Sequence, residues 1–164
     1  MLRNKNLIPL SHQHQRALAL CVRIDRASPI LDKDLPAWQQ EISQHFRNEI
    51  EVHFRAEEQV VFPVASQHPE LRPLIEELLA DHSALRASFA DADAGSMPTE
   101  ALTAFAHRLS EHIRKEERRL FERLQALLSH DELFVLGEHL AKALSAAPNA
   151  CVLPDETTRL RARK

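Results

Sequence analysis

Four stretches of helical spacing carry most of the apolar residues of this chain, and a histidine interrupts each of them. The first puts Ala17, Leu18, Cys21 and Val22 on one face, and His14 shares that face. In the second, His53 and Glu57 break the stripe Trp38, Ile42, Phe46, Ile50, Val60, Val61. In the third, His82 falls between Leu78 and Leu85 on the face of Leu71, Ile75 and Phe89. In the fourth, His112 and Glu116 fall between Leu109 and Leu120 on the face of Leu102, Phe105, Leu124 and Leu127. A polar side chain on a buried stripe is costly unless paired, and a lone buried carboxylate takes up a proton rather than stay charged. Metal ligation removes that cost, because carboxylate and neutral imidazole are both ligands.

The stripes also set the fold class. Ser11 is the expected cap of the first helix, which ends near Ala27 because Ser28-Pro29 disfavours continuation. Asp34 with Pro36 opens the second helix, and Pro63 closes it after Phe62. The third starts between Pro69 and Pro73 and ends between Asp91 and Gly95; the fourth starts near Pro98 and Thr99. A shorter fifth helix follows a capping box from Ser129 to Glu132 and carries Leu133, Leu136 and Leu140. Four long helices joined by short loops predict an all-α, up-down-up-down antiparallel four-helix bundle. The bundle and the short fifth helix form one domain over residues 1–145, and 146–164 is expected to be a loose tail with a basic end, Arg159, Arg161, Arg163 and Lys164.

Composition narrows the function classes. The chain has 164 residues, with two Gly, no Tyr and ten His. A net charge of −3 removes the electrostatic case for nucleic acid. No apolar run approaches the ~18 residues of a membrane span. Met1 to Leu10 lacks the apolar core of a signal peptide, so a soluble cytoplasmic protein is expected. Cys21 and Cys151 allow at most one disulfide, and Cys21, two turns beyond His14, reads as a small core residue.

Spacing and level bring the interruptions together. His and Glu four apart lie one turn apart on one face, so His53/Glu57 and His112/Glu116 can each grip one cluster. Counted from the connecting turns, the four histidines differ in height by only about 5–8 Å at ~1.5 Å per residue. His53-Phe-Arg-Ala-Glu-Glu-Gln-Val-Val-Phe62 also echoes His112-Ile-Arg-Lys-Glu-Glu-Arg-Arg-Leu-Phe121. Two hairpins, each with one His on its first helix and His-x3-Glu on its second, imply a pseudo-two-fold site. Two halves of three ligands suit a pair of metals better than one. His12 lies about 200° from His14 and His107 about 140° from His112, so both face outward. His68, His130 and His139 have no partner at helical spacing and are expected to be exposed. Glu49, one turn before His53, is either an acceptor for a ligand imidazole or half of a surface pair with His45. Arg86, one turn after His82, either points at the site mouth or reaches solvent.

The order His, His-x3-Glu, His, His-x3-Glu resembles the hemerythrin-like family of cation-binding domains over about residues 10–128. Leu10-Ser-His-Gln-His14, His53-Phe-Arg-Ala-Glu-Glu58 and His112-Ile-Arg-Lys-Glu-Glu117 carry the resemblance. It implies a non-haem di-iron centre. His14 and His53 would hold one iron and His82 and His112 the other, with Glu57, Glu116 and a solvent-derived oxo or hydroxo group as bridges. Zn, Mn or Ni suit the same donors. The implied partner is a small molecule, O2, NO or peroxide, bound for sensing, storage or detoxification. Oxygen-carrying members have a fifth His where this chain has Arg86. The alternative is therefore a peroxidase-like or catalase-like enzyme, with an open metal position and a guanidinium favouring anionic peroxide. No Glu has a His three residues later, as ferritin-like oxidases do, and no His-Glu-x-x-His of a zinc hydrolase is present. A helical interaction module with a structural polar interior is the remaining class.

Overall fold

A computed structural model describes residues 2–147 and 152–160, and among them the protein is all helical, with five helices and no strand. Helix α1 is Ile8–Ala27, α2 runs over 35–65, α3 is Arg72–Asp93, α4 runs over 99–127 and α5 is His130–Leu144. α1 lies along the 99–115 part of α4, Leu35–His45 lies along α3, and α5 packs on 51–61 of α2. No helix among the described residues is long and apolar enough to cross a membrane.

Most helix ends fall where their local chemistry puts them. α1 stops at Ala27, followed by a cis Ser28-Pro29 bond. α3 closes at Gly95, whose φ of 68° lets the Ser96 N–H reach back to the Asp91 carbonyl at 2.8 Å. Ser129 and Glu132 form the expected capping box of α5. Two expectations fail. Ser11 is not the cap of α1, because Pro9 is already set for a helical first turn and starts the helix at Ile8. Pro63 does not close α2, which continues to Ala65. The preceding turn, Glu57–Val61, is a π-turn whose last bond runs from the Phe62 N–H to the Glu57 carbonyl. Pro63 thus falls in the first turn of a fresh α segment, where a missing N–H costs least.

Two further π-turns occupy Phe46–Ile50 and Glu116–Leu120. Their effect shows in the buried residues. His53, Glu57, Val61 and Ala65 are buried at steps of four, and so are His112, Glu116, Leu120 and Leu124. In a straight α-helix three steps of four drift about 120° around the axis. The wider π-turn absorbs that drift and keeps each row facing inward.

The buried apolar residues form two clusters, and each long helix passes from one to the other at its histidine. Leu10 belongs to one cluster and Ala17 to the other, and so do Leu78 and Leu85, and Leu120 and Leu109. The polar interruptions therefore form a layer between two apolar plugs. Val22, placed on the buried face by the sequence pattern, is 44% exposed on the flank of α1. Cys21 is buried with a free thiol; Cys151 lies outside the described residues.

The C-terminal segment, expected to be loose, touches the bundle at Thr158. Thr158 is buried, and its carbonyl accepts from Arg23 Nη1 at 2.9 Å. The same guanidinium is ion-paired with Glu41, and both partners are buried. Arg161, Arg163 and Lys164 lie outside the described residues. Breaking a buried ion pair strands a charge, so Arg23→Met should cost about 3–5 kcal/mol in urea unfolding of the metal-free protein. It should also expose 152–160 to proteolysis. A loss under about 1 kcal/mol, the value of a surface pair, would refute this account.

Candidate metal centre

All six side chains singled out by the stripes meet in the polar layer. Glu57, Glu116 and His82 are 0% exposed, and His112, His14 and His53 are 1%, 3% and 4% exposed. Each carboxylate faces both hairpins. Glu57 Oε1 is 3.3 Å from His53 Nε2 on its own helix, and its Oε2 is 3.4 Å from His82 Nε2. Glu116 Oε1 is 3.2 Å from His112 Nε2 on its own helix, and its Oε2 is 3.1 Å from His14 Nε2. His14 and His53 bring their Nε2 atoms within 2.9 Å of each other. The donors form two groups that could hold a metal ion, His14, His53, Glu57, Glu116 and Glu57, His82, His112, Glu116. Both carboxylates belong to both groups.

The donor set fits a cation on physical grounds. Both oxygens of Glu57 and of Glu116, Nε2 of His82 and both ring nitrogens of His112 are buried without a hydrogen-bond partner. Buried polar groups are almost always satisfied, so the orphans that point into the layer call for a partner, and a cation answers the four carboxylate oxygens and the Nε2 atoms of His82 and His112; His112 Nδ1 lies on the outer edge.

A ring of partners surrounds the imidazoles, and it follows the same two-fold pattern. His14 Nδ1 meets Glu117 Oε1 at 2.7 Å, and His82 Nδ1 meets Glu58 Oε1 at 2.8 Å. His53 Nδ1 meets Gln13 Oε1 at 2.7 Å, and His112 Nδ1 faces Asp81 Oδ2 at 3.7 Å. Phe121 stacks on His14 and Phe62 on His82, with centroids 5.7 and 5.4 Å apart. Phe54 lies closer on His82, at 3.9 Å. Glu58 and Glu117 are the second glutamates of the two echoed segments, so repetition in the sequence was the signal that they matter. Gln13 and Asp81 each immediately precede a histidine of the centre.

Glu49 does not accept from His53, because Gln13 fills that place. Glu49 is ion-paired with Arg16 instead, and His45 is buried near Glu41 at 3.5 Å rather than paired with Glu49. Arg86 neither points a free guanidinium at the site nor runs out to solvent. It donates to Glu58 and to Glu51 at 2.7 and 3.0 Å. His12, His107, His130 and His139 are exposed as expected, while His68 is half-buried.

Electrostatics explain how the layer survives without a metal. Burial opposes charging of His14 and His82, but the carboxylates around them outweigh it and hold both at about 10. His112 is raised in the same way against the same desolvation, chiefly by Glu116. Burial pushes Glu57 and Glu116 up, yet the imidazoles hold both below the ordinary carboxylate value. Burial pushes Glu117 up, but His14, Ser11 and Arg3 together outweigh it and bring the carboxyl down to about 2. In the metal-free layer His14, His82 and His112 are thus imidazoliums set against carboxylates.

Beside this layer, Ala17, Ile50, Phe54, Leu109 and Ile113 with His14, His53 and His112 line a cavity of about 10 Å3, room for roughly one water-sized molecule.

A family model, described as the hemerythrin HHE cation-binding domain, matches residues 9–124. No curated protein and no solved structure matches the chain.

The charge cluster fixes a pH profile for the metal-free protein. Imidazoles raised above 6.5 stabilise the fold fully below 6.5 and lose that contribution as pH climbs through about 10. Carboxylates lowered below 4.5 stabilise it above 4.5 and lose that as pH falls towards about 2. The melting temperature of metal-free protein should therefore peak between 4.5 and 6.5 and decline on both sides. A flat profile from 4.5 to 10 would contradict the ionised cluster.

Proposed function

The chain belongs to the hemerythrin HHE cation-binding domain family, and we propose that it is a cytoplasmic non-haem di-iron protein that binds O2, NO or peroxide in the core of an up-down-up-down four-helix bundle. His14 and His53 would hold one iron and His82 and His112 the other, with Glu57 and Glu116 shared between the two positions. One observation carries this reading. Each of two fully buried carboxylates turns its two oxygens to imidazoles from opposite hairpins and has no hydrogen-bond partner of its own. Such an iron pair supplies reversible redox chemistry and an exchangeable position for a small ligand.

The chain's own residues support binding of something small and weakly polar. The cavity, walled largely by Ala17, Ile50, Phe54, Leu109 and Ile113, admits little beyond a diatomic molecule. Phe54, Phe62 and Phe121 pack against the imidazoles and keep the rings from turning. Glu58, Glu117 and Gln13 take the outer ring nitrogens, so the inner nitrogens face the carboxylates. Arg86 is engaged with Glu58 and Glu51, so the recruitment of anionic peroxide expected of it finds no free guanidinium. That favours ligand binding for sensing, storage or detoxification over peroxide turnover.

Metal analysis of the purified chain should give about two irons. His53→Ala and His112→Ala should each lower that content, and His107→Ala and His130→Ala should leave it unchanged. Anaerobic titration of the reduced protein with NO should change its absorption in step with iron content. Chelation should lower the melting temperature by mass action, since the metal binds only the folded form. An iron-loaded protein that ignores NO, or a His107→Ala variant as depleted as His112→Ala, would overturn the proposal.

A further inference from the structure

We propose that Arg3 and Arg86 are positioning residues of the centre, one for each half, and that the segment ahead of α1 is therefore part of the metal site. The inference rests on the two-metal reading above.

Each arginine ends a relay of the same form. Arg86 grips Glu58 with Nη1 on Oε1 at 2.7 Å and Nη2 on Oε2 at 3.2 Å, and Glu58 Oε1 takes His82 Nδ1. Arg3 Nη2 grips Glu117 Oε2 at 2.6 Å and the Glu117 carbonyl at 2.7 Å, and Glu117 Oε1 takes His14 Nδ1. Both guanidiniums also lie over a phenyl ring that touches the same histidine. Arg86 is 5.4 Å from Phe54, which stacks on His82, and Arg3 is 5.2 Å from Phe121, which stacks on His14.

The physical role follows from what a carboxylate lacks. It has no proton, so the imidazole must donate from Nδ1, and Nε2 is left to face inward. His14 Nε2 then faces Glu116 and His82 Nε2 faces Glu57. Glu58 and Glu117 are about a quarter exposed, at 26% and 25%. A glutamate so placed has rotamers that turn it out to water, and holding it in one of them costs side-chain entropy. A guanidinium bound to the carboxylate removes that freedom and thereby fixes the ring.

The two relays are alike in chemistry but not in origin. Glu58 and Glu117 occupy matching places in the echoed segments, as His82 and His14 do in their hairpins. Arg86 stands one turn after its histidine, whereas Leu18 holds that place after His14, and there the guanidinium comes from upstream. The upstream segment is well seated. Leu7 is fully buried, and the Asn4 N–H donates to Gln125 Oε1 at 2.8 Å. Gly137 of α5 admits it, because a Cβ there would stand 2.6 Å from Asn6 Oδ1.

The test uses the full chain loaded with Fe(II) without oxygen and mixed with excess ferrous chelator, reading the release of each iron. Glu58→Ala and Glu117→Ala should each speed release of a different iron by about 10–100-fold, the usual cost of losing an outer partner of a ligand histidine. Arg86→Gln should speed the same iron as Glu58→Ala by several-fold, and Arg3→Gln the same iron as Glu117→Ala. Arg86→Gln should add nothing in the Glu58→Ala background, nor Arg3→Gln in the Glu117→Ala background, because each pair acts as one unit. The metal-free melting temperature should barely move in the arginine variants, whose side chains are partly exposed. Wild-type release rates in both arginine variants would overturn the inference. So would a full additive effect on the glutamate variants, or equal acceleration of both irons with a matching fall in metal-free melting temperature. A wild-type chain that loads one iron defeats the two-metal reading and the assignment of one arginine to each half. Non-additivity within each pair would still be scored on that single iron.

Discussion

Two carboxylates buried in the middle of a helical core dominate the energetics of this protein. Glu57 and Glu116 are fully removed from water, and each repels the other's charge. Without compensation both would take protons, as buried carboxylic acids do. Four imidazoles, one from each long helix, prevent that. His14, His82 and His112 answer the carboxylates as imidazoliums when no metal is bound, and the inward nitrogens of all four rings can serve a cation. Because each carboxylate reaches across to the other hairpin, no helix can leave the layer without stranding a charge on a neighbour. The polar layer therefore holds the four helices in register, and the apolar clusters on either side supply the burial that makes the register worth keeping.

Register along each helix needs a second device. A row of residues spaced by four drifts round an ideal α-helix, so a histidine, a glutamate and two apolar residues at such spacing do not share a face for long. The π-turns that begin at Glu57 and at Glu116 remove the drift where the site needs it removed. They let one helix point His and Glu into the polar layer and the next two turns into the apolar plug. The backbone irregularity and the site are two sides of one requirement.

This explains what the sequence made legible. The six inward-facing groups could be read because burial of a polar residue breaks a periodic apolar stripe, and a break is visible in one dimension. The π-turns were written there too, in the steps of four at 53, 57, 61, 65 and 112, 116, 120, 124, but a stripe read at the average helical period passes over them. The outer partners were harder. Glu58 and Glu117 stand about 100° round their helices from the inward row, where a helix-face argument expects solvent. What they touch depends on the neighbouring helix, so only the doubled glutamate in both echoed segments hinted at them. Gln13 replaced Glu49 as partner of His53 for the same reason, since proximity along one helix says nothing of what the adjacent helix brings. The docking of Thr158 left no mark in the pattern, because a single buried carbonyl contact with Arg23 has no periodicity.

The pseudo-symmetry is kept in charge but broken in chemistry. Where His53 rests on the neutral amide of Gln13, His112 faces the carboxylate of Asp81, which is held at about 2 by His112 and Lys115 against its desolvation. The extra negative charge is balanced on the spot, since Lys115 Nζ is 2.7 Å from Asp81, and the equivalent place in the other echoed segment holds Ala56. The local fields still differ, because a carboxylate behind an imidazole makes it a stronger donor than an amide does. The small apolar cavity includes Gln13, His14 and His53 in its lining, and from the other hairpin it reaches only His112 among the imidazoles. The cavity therefore borders chiefly the half whose imidazole leans on the amide. The inequivalence of the two ends is thus built from residues just outside the polar layer, with no change in the six groups that define it.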